Sequence, residues 1–276
     1  MPQSVTIFKP EDYEDHFDGA AYLEHFYSDR AMESGTRLSL FALPNFAEHV
    51  RKMIPESERR TLLDVGSGPT VYSAICFRRI VKQIYLSDFV PSNLELLEDW
   101  VEQRRPFDWT AVSKIIGRNE GLRVDAAELQ RMEEETRAAV KAGGILHANV
   151  HNEEVLRENP TINADVHFDV LVSIFCLESA CSTHEQYARA IRNMLKLLRP
   201  GGCLILGSVI EDNVYVSGMH ADKPRLFTLL SLKEEFIVEQ LEENGIKTAS
   251  MTRLGLVQHG ALFLMARKKE AEEGGA

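Results

Sequence analysis

An acid, two glycines and a second acid stand at the spacing of a nucleotide-type cofactor site. The run Leu62-Leu63-Asp64-Val65 passes at once into Gly66-Ser67-Gly68-Pro69-Thr70. A continuous apolar run of this kind reads as a buried parallel strand. Gly66 and Gly68 permit a tight turn and let another molecule approach the backbone closely. Pro69 suits a first helical turn, and Val71 to Phe77 continue it. The predicted unit is strand, glycine turn, helix, the cradle of a nucleotide-type cofactor. The third glycine of the dinucleotide fingerprint is replaced by Val71. A second strand, Gln83 to Ser87, ends in Asp88, about twenty residues after Gly68, where an acid is expected to grip ribose hydroxyls.

A sheet must hold these groups, and the rest of the chain alternates as such a sheet requires. Upstream, Asp18 to Tyr27 spaces Tyr22, Phe26 and Tyr27 beside Leu23 as an aromatic ridge on a helix, and a second helix covers roughly Ser39 to Met53. Downstream, Pro91 and Ser92 open a helix over Asn93 to Gln103, and a charged helix over Asp125 to Ala142 stops at Gly143-Gly144. Strands are expected at Ile145 to Val150, Phe168 to Phe175 and Cys203 to Gly207. Ser182 with Glu185, and Ser231 with Glu234, read as capping boxes of two further helices. Lys247 to Leu254 and Ala261 to Arg267 suit an antiparallel hairpin. The expected class is α/β, a doubly wound sheet with the cofactor at the carboxyl ends of its strands. A single domain is expected, with 1–55 preceding a core of 56–268 and a frayed tail of 269–276.

Asp64-Val65-Gly66-Ser67-Gly68-Pro69-Thr70-Val71-Tyr72 resembles the first motif of S-adenosylmethionine (SAM) methyltransferases, in particular the small-molecule N-methyltransferases of nicotinamide, phenylethanolamine and indolethylamine. Further matches run along nearly the whole chain: Tyr22-Leu23-Glu24, Asn93-Leu94, Phe107-Asp108-Trp109, Cys176-Leu177-Glu178, Leu198-Arg199-Pro200-Gly201-Gly202 and Ala266-Arg267-Lys268. Their order and spacing together are far more specific than any one of them. The resemblance implies a Rossmann-like class I fold, a seven-stranded, mostly parallel sheet with a C-terminal antiparallel hairpin and an N-terminal helical lid. It implies SAM as cofactor and S-adenosylhomocysteine (SAH) as product. Gly66, Ser67, Gly68, Thr70, Tyr72, Asp88, Asn93, Asn149, Val150 and Ile174 fall at the cofactor, and Tyr22 and Tyr27 close over its methionyl end. Phe175, Glu178, Ser208, Asp212 and Tyr215 fall at the substrate, with Glu178, Asp212 and Tyr22 in catalytic positions. Asn149 stands where relatives often carry aspartate, and its side-chain carbonyl still accepts from an exocyclic amine. Ser208 stands where the nicotinamide enzyme has an aspartate for the carboxamide, which favours an amine over nicotinamide as acceptor.

Methyl transfer from a sulfonium is an in-line displacement, so the protein's task is to position and desolvate. A cationic amine has a pKa of about 10 if lysine-like, and a pocket acid would hold it and accept its proton. The Asn/Asp-Pro-Pro-Tyr motif of enzymes that methylate adenine or amide nitrogens is absent after the fourth strand, where Ser173-Ile174-Phe175-Cys176 stands. A formal net charge of −11 also argues against a nucleic-acid partner, which needs a basic face. Cys76, Cys176, Cys181 and Cys203 form no C-x-x-C pair and read as reduced core residues; no zinc pattern joins the nine histidines, and no metal is expected. No stretch approaches eighteen apolar residues and Met1-Pro2-Gln3-Ser4 has no signal pattern, so a cytosolic monomer without membrane contact is expected. The alternative of another class is a catalytically silent SAM-binding regulator; methylation of another small molecule is also open.

Overall fold

The apolar runs become the middle of a seven-stranded sheet, and the computed structural model describes residues 6–34, 38–157, 159, 162–163, 165–220, 223–256 and 260–270. The chain opens with a short strand β1 (Ile7–Phe8) and the helices α1 (Tyr13–His16), α2 (Gly19–Tyr27), α3 (Asp29–Ser34) and α4 (Leu38–Met53). The alternating part follows as β2 (Thr61–Val65), α5 (Tyr72–Phe77), β3 (Gln83–Asp88), α6 (Pro91–Val101), α7 (Thr110–Asn119), α8 (Ala126–Ala142) and β4 (Gly144–His147). It continues through β5 (Phe168–Ile174), α9 (Leu177–Ala180), α10 (His184–Lys196) and β6 (Leu198–Val209). A hairpin of β7 (Val214–His220) and β8 (Lys223–Thr228), helix α11 (Glu234–Glu243), β9 (Ile246–Leu256) and β10 (Ala261–Lys268) complete it.

The strand order is β4-β3-β2-β5-β6-β10-β9. The first five strands are parallel, and β10 runs antiparallel to both β6 and β9. Leu62 and Leu63 are fully buried neighbours that serve opposite faces: Leu62 joins the core beneath α4, α5, α7 and α8, and Leu63 the core beneath α10 and α11. A strand buried on both sides must be apolar throughout, which is why β2 and β5 read as unbroken runs rather than alternations. β2 pairs with β3 on one side and β5 on the other, so the glycine turn after β2 sits where the winding reverses, the crevice in which such sheets bind ligands.

Several boundaries differ from the sequence expectation. Gly143 ends α8 as expected, and Asp125 proves to be its N-cap, its side chain accepting from the Glu128 amide at 3.0 Å. The cap of α10 is Thr183 rather than Ser182, with Gln186 N donating to its hydroxyl; α11 starts at Glu234 without a side-chain cap, so Ser231 lies outside it. β4 stops at His147, leaving Asn149 and Val150 in the following turn. Helix α7 and a separate three-stranded sheet of order β1-β8-β7 were not foreseen. Cys76, Cys181 and Cys203 are free and buried, and Cys176 is free and half-buried. Residues 271–276 of the expected tail lie outside the described residues. Among the described residues no helix is long and apolar enough to cross a membrane.

Candidate functional site

The glycine turn folds on its own backbone. Gly66 and Gly68 hold φ of 73° and 59°, a left-handed conformation that favours glycine. The amides of Gly66 and Ser67 both donate to Ser87 O at 2.9 Å, and the Thr70 hydroxyl donates to Ser67 O at 2.7 Å. These donors are spent on β3 and within the turn, so the turn offers a ligand close backbone approach rather than these N–H groups. A Cβ on Gly68 would meet nothing within 4 Å, whereas one on Gly66 would lie 2.2 Å from Cys176 Sγ.

Asp88 ends β3 and joins this turn to α6. Its Oδ2 accepts from Gly68 N at 2.8 Å; its Oδ1 accepts from Val90 N at 2.9 Å and Asn93 Nδ2 at 3.0 Å. Burial raises its pKa, and the bonds from Asn93, Val90 and Gly68 pull it back. The Asn93 carbonyl oxygen is buried and has no partner. Asp64 is buried one strand inward and accepts from the Ser73 hydroxyl; burial pushes its carboxyl up to about 7.

Around these groups lies a cavity of about 350 Å³. Of the residues expected at the site, Tyr22, Gly66, Ser67, Gly68, Thr70, Tyr72, Asp88, Asn93, Asn149, Val150, Ile174, Phe175 and Tyr215 line it. Tyr27 stands behind the wall, packed against the Tyr22 ring and stacked on Tyr72. Asn149 already accepts from His151 N at 2.9 Å through its side-chain oxygen. Phe175, at the end of β5, holds φ of 58°, a strained conformation of the kind found where a site dictates the backbone.

Three expected substrate residues are placed elsewhere. Asp212 is exposed and outside the cavity wall; its Oδ1 accepts from its own loop at Asn213 N, 2.7 Å away. Glu178 is 1% exposed and absent from the lining; its Oε1 accepts from Val209 N at 2.6 Å, and burial pushes its carboxyl up to about 7. Ser208 is buried beside it. The two carboxylates therefore do not converge on one pocket.

The N-terminal segment supplies residues that the sequence reading missed. Glu11, Tyr13, Glu14 and Phe17 line the cavity together with Tyr22. The hydroxyls of Tyr13 and Tyr215 lie 2.7 Å apart, and the Ser179 hydroxyl donates to Phe175 O at 3.2 Å. Phe17 packs on Tyr13, Tyr22 and Phe227. Burial raises the pKa of Tyr13, Tyr215 and Tyr22, the last to about 12, so all three hydroxyls remain protonated and able to donate. β1 pairs with β8, and Arg225 donates to His16 O, so the segment is tied to the β7–β8 hairpin. Among the described residues the lining carries acids, aromatics and His151, and neither Lys nor Arg.

A model of the NNMT/PNMT/TEMT family matches residues 5–269. A nicotinamide N-methyltransferase of Caenorhabditis elegans is 32% identical over 263 residues, 94% of this chain and 91% of that protein. A phenylethanolamine N-methyltransferase of Homo sapiens is 33% identical over 227 residues, 77% of this chain and 75% of that protein. Among solved structures, the magnesium protoporphyrin IX methyltransferase of Synechocystis PCC 6803 with bound SAM superposes with a TM-score of 0.55 at 11% identity, covering 94% of this chain and 95% of that one. At that identity the likeness is one of fold.

Proposed function

The chain belongs to the NNMT/PNMT/TEMT family, and from that premise we propose how its cavity divides between cofactor and acceptor. It is a SAM-dependent N-methyltransferase acting on nicotinamide or amines. The groups present suit SAM. Asp88 keeps an unused lone pair on Oδ2, matched to a ligand rich in hydroxyl donors, and Gly68 leaves open space beside it for close approach to the turn. In this reading Gly66, Ser67, Gly68, Thr70, Tyr72, Asp88, Asn93, Asn149, Val150 and Ile174 hold the cofactor, and Tyr22, with Tyr27 behind it, closes over it. Bound SAM supplies an activated methyl group on a sulfonium.

The acceptor end is the space between Tyr13, Phe17, Phe175 and Tyr215. Aromatic faces hold a small cation or an aromatic ring, and they exclude water from the transfer. The observation that carries the acceptor reading is the lining itself: Glu11, Glu14 and Asp88 with aromatic walls and, among the described residues, neither Lys nor Arg. Such a lining favours a cationic amine, because an anionic or strongly polar acceptor finds no counter-charge. Nicotinamide is the second reading, favoured by the 32% identity to a nicotinamide enzyme along 94% of this chain. Asp212 and Ser208 are left out of acceptor contact. The net charge of −11 supports a reading without a nucleic-acid partner; a cytosolic monomer is part of the same proposal. Purified protein with methyl-labelled SAM and tryptamine, phenylethanolamine or nicotinamide tests it. Preferred labelling of an amine supports the first reading, labelling of nicotinamide alone the second.

A further inference from the structure

The end of the cavity reached by the loop after β4 carries two side-chain amides. Asn149 lies in that loop, and Gln186 stands in the first turn of α10; both line the cavity, as do His151 and Ser182. The loop meets the end of α9 there. His151 Nε2 lies 2.8 Å from Ala180 O and, facing a carbonyl, must carry the proton. Each amide is held by its own loop through its oxygen. Asn149 Oδ1 accepts from His151 N at 2.9 Å, and Gln186 Oε1 accepts from Ser182 N at 2.7 Å. A backbone N–H can only donate, so the atom facing it is the oxygen in both side chains, and the NH2 is turned away. Among the described residues neither NH2 has a hydrogen-bond partner. An aspartate held in the same way would offer its second oxygen where Asn149 offers a donor. The side-chain carbonyl expected to accept from an exocyclic amine is thus engaged by its own loop, and the group left over is a donor.

We propose that Asn149 and Gln186 act as a donor pair toward the base of SAM: their NH2 groups bond the ring nitrogens that flank its 6-amino group, N1 and N7, and no side chain here reads the amino group itself. This rests on the methyltransferase reading, which puts the base at Asn149 and Val150. The ring nitrogens of adenine accept and an amide NH2 donates, so each contact satisfies one group on either side. The 6-amino group is a donor, and set against an NH2 it would leave both without an acceptor. A site discriminates most strongly at the hydrogen bonds it is shaped to make, because a ligand that lacks its half leaves the site's own group unpaired. Here those bonds would test for the acceptor nitrogens of the base and pass over its amine.

The test titrates the full chain with SAH and three analogues by calorimetry. One has hydrogen in place of the 6-amino group; the 1-deaza and 7-deaza analogues each have CH in place of one ring nitrogen. Wild type should bind the 6-unsubstituted analogue within about threefold of SAH, and each deaza analogue more than about threefold more weakly than SAH. Asn149→Asp and Gln186→Glu each keep the oxygen that the loop uses and change only the NH2. In each variant an oxygen replaces one donor and can accept from the 6-amino group, so loss of that group should weaken binding by more than about threefold relative to SAH. These are ratios measured within one protein, and a general loosening of the loop would weaken all four ligands together. Three results would overturn the proposal: wild type losing more than about threefold with the 6-unsubstituted analogue, either deaza analogue binding within about threefold of SAH, or either variant staying within about threefold for the 6-unsubstituted analogue. Failure of wild type to bind SAH at all would instead overturn the cofactor reading on which it rests.

Discussion

Asp88→Asn is the perturbation whose consequences the structure defines most fully. A carboxylate offers about four lone-pair sites, two on each oxygen. Val90 N and Asn93 Nδ2 take both sites of Oδ1, and Gly68 N takes one of Oδ2. One site remains, on Oδ2, and in our account a ribose hydroxyl of the cofactor uses it. This is less than the two-oxygen grip that the sequence alone suggests, since most of the carboxylate is already committed to the turn. Asparagine can keep the Oδ1 pair through its carbonyl and place NH2 where Oδ2 stood. The charge-assisted bond to the cofactor is then lost, worth about 1.5–3 kcal/mol. That converts to SAH binding weaker by about 10- to 150-fold. The same NH2 faces the Gly68 amide, donor against donor, so stability should also fall, by about 1–3 kcal/mol. Calorimetric titration with SAH reads the first effect, and thermal unfolding without ligand the second. A folded variant that binds SAH with wild-type affinity would refute the assignment of Asp88 to the cofactor.

Other outcomes follow from the same geometry. Gly66→Ala should destabilise the free protein by about 2–5 kcal/mol, combining left-handed strain with overpacking against Cys176, while Gly68→Ala should cost only the strain of about 1–2 kcal/mol; denaturant unfolding of the two side by side checks the difference. Asp212→Ala should change kcat/KM for amines by no more than about twofold, because an exposed residue outside the cavity acts within about 0.5 kcal/mol. Burial raises Glu178 from an ordinary carboxyl value to about 7, so the native state binds its proton more tightly than the unfolded chain does. Its contribution is fully present below the unfolded value of about 4.3 and is lost as pH rises through about 7. The stability of Glu178→Gln relative to wild type should therefore climb by up to about 3 kcal/mol between these limits and level off above them; an unchanged difference across that range in urea titrations would contradict it. Limited proteolysis should cut the segment around Tyr13 to Tyr27 more slowly when SAH and acceptor are present, and equal rates would argue against a lid.

What the sequence conveyed follows from which interactions are local. The turn from Asp64 to Thr70, the strand ending at Asp88 and the Gly143 stop of α8 depend on neighbours in the chain, and they were legible as spacing. The doubly wound parallel core followed from apolar runs that only a sheet buried on both faces can accommodate, whereas the count of seven strands came from the family resemblance. The three-stranded sheet was hidden because Ile7 finds its partner at Leu226, and two residues of strand carry no periodicity of their own. Tyr13 and Phe17 stand four apart in an otherwise acidic stretch, which is a weak helical signal; only their meeting with Tyr215 and Phe227 marks them as cavity wall. The misplaced acids have a similar cause. Glu178 and Asp212 both follow core strands, but the direction of each carboxylate is set by where the nearest unpaired amides lie. Val209 N captures one behind the wall and Asn213 N captures the other in its own loop.

The account stands on methyl transfer to nitrogen within this one cavity. The most direct measurement incubates the purified chain with methyl-labelled SAM and a panel of tryptamine, phenylethanolamine and nicotinamide, and follows both labelled product and SAH by mass spectrometry. The account predicts one labelled N-methyl product formed in step with SAH, and a fall of both together in Asp88→Asn at cofactor concentrations near the wild-type KM. Tight SAH binding with no labelled nitrogen in any acceptor would contradict it and leave a cofactor-binding protein without this chemistry.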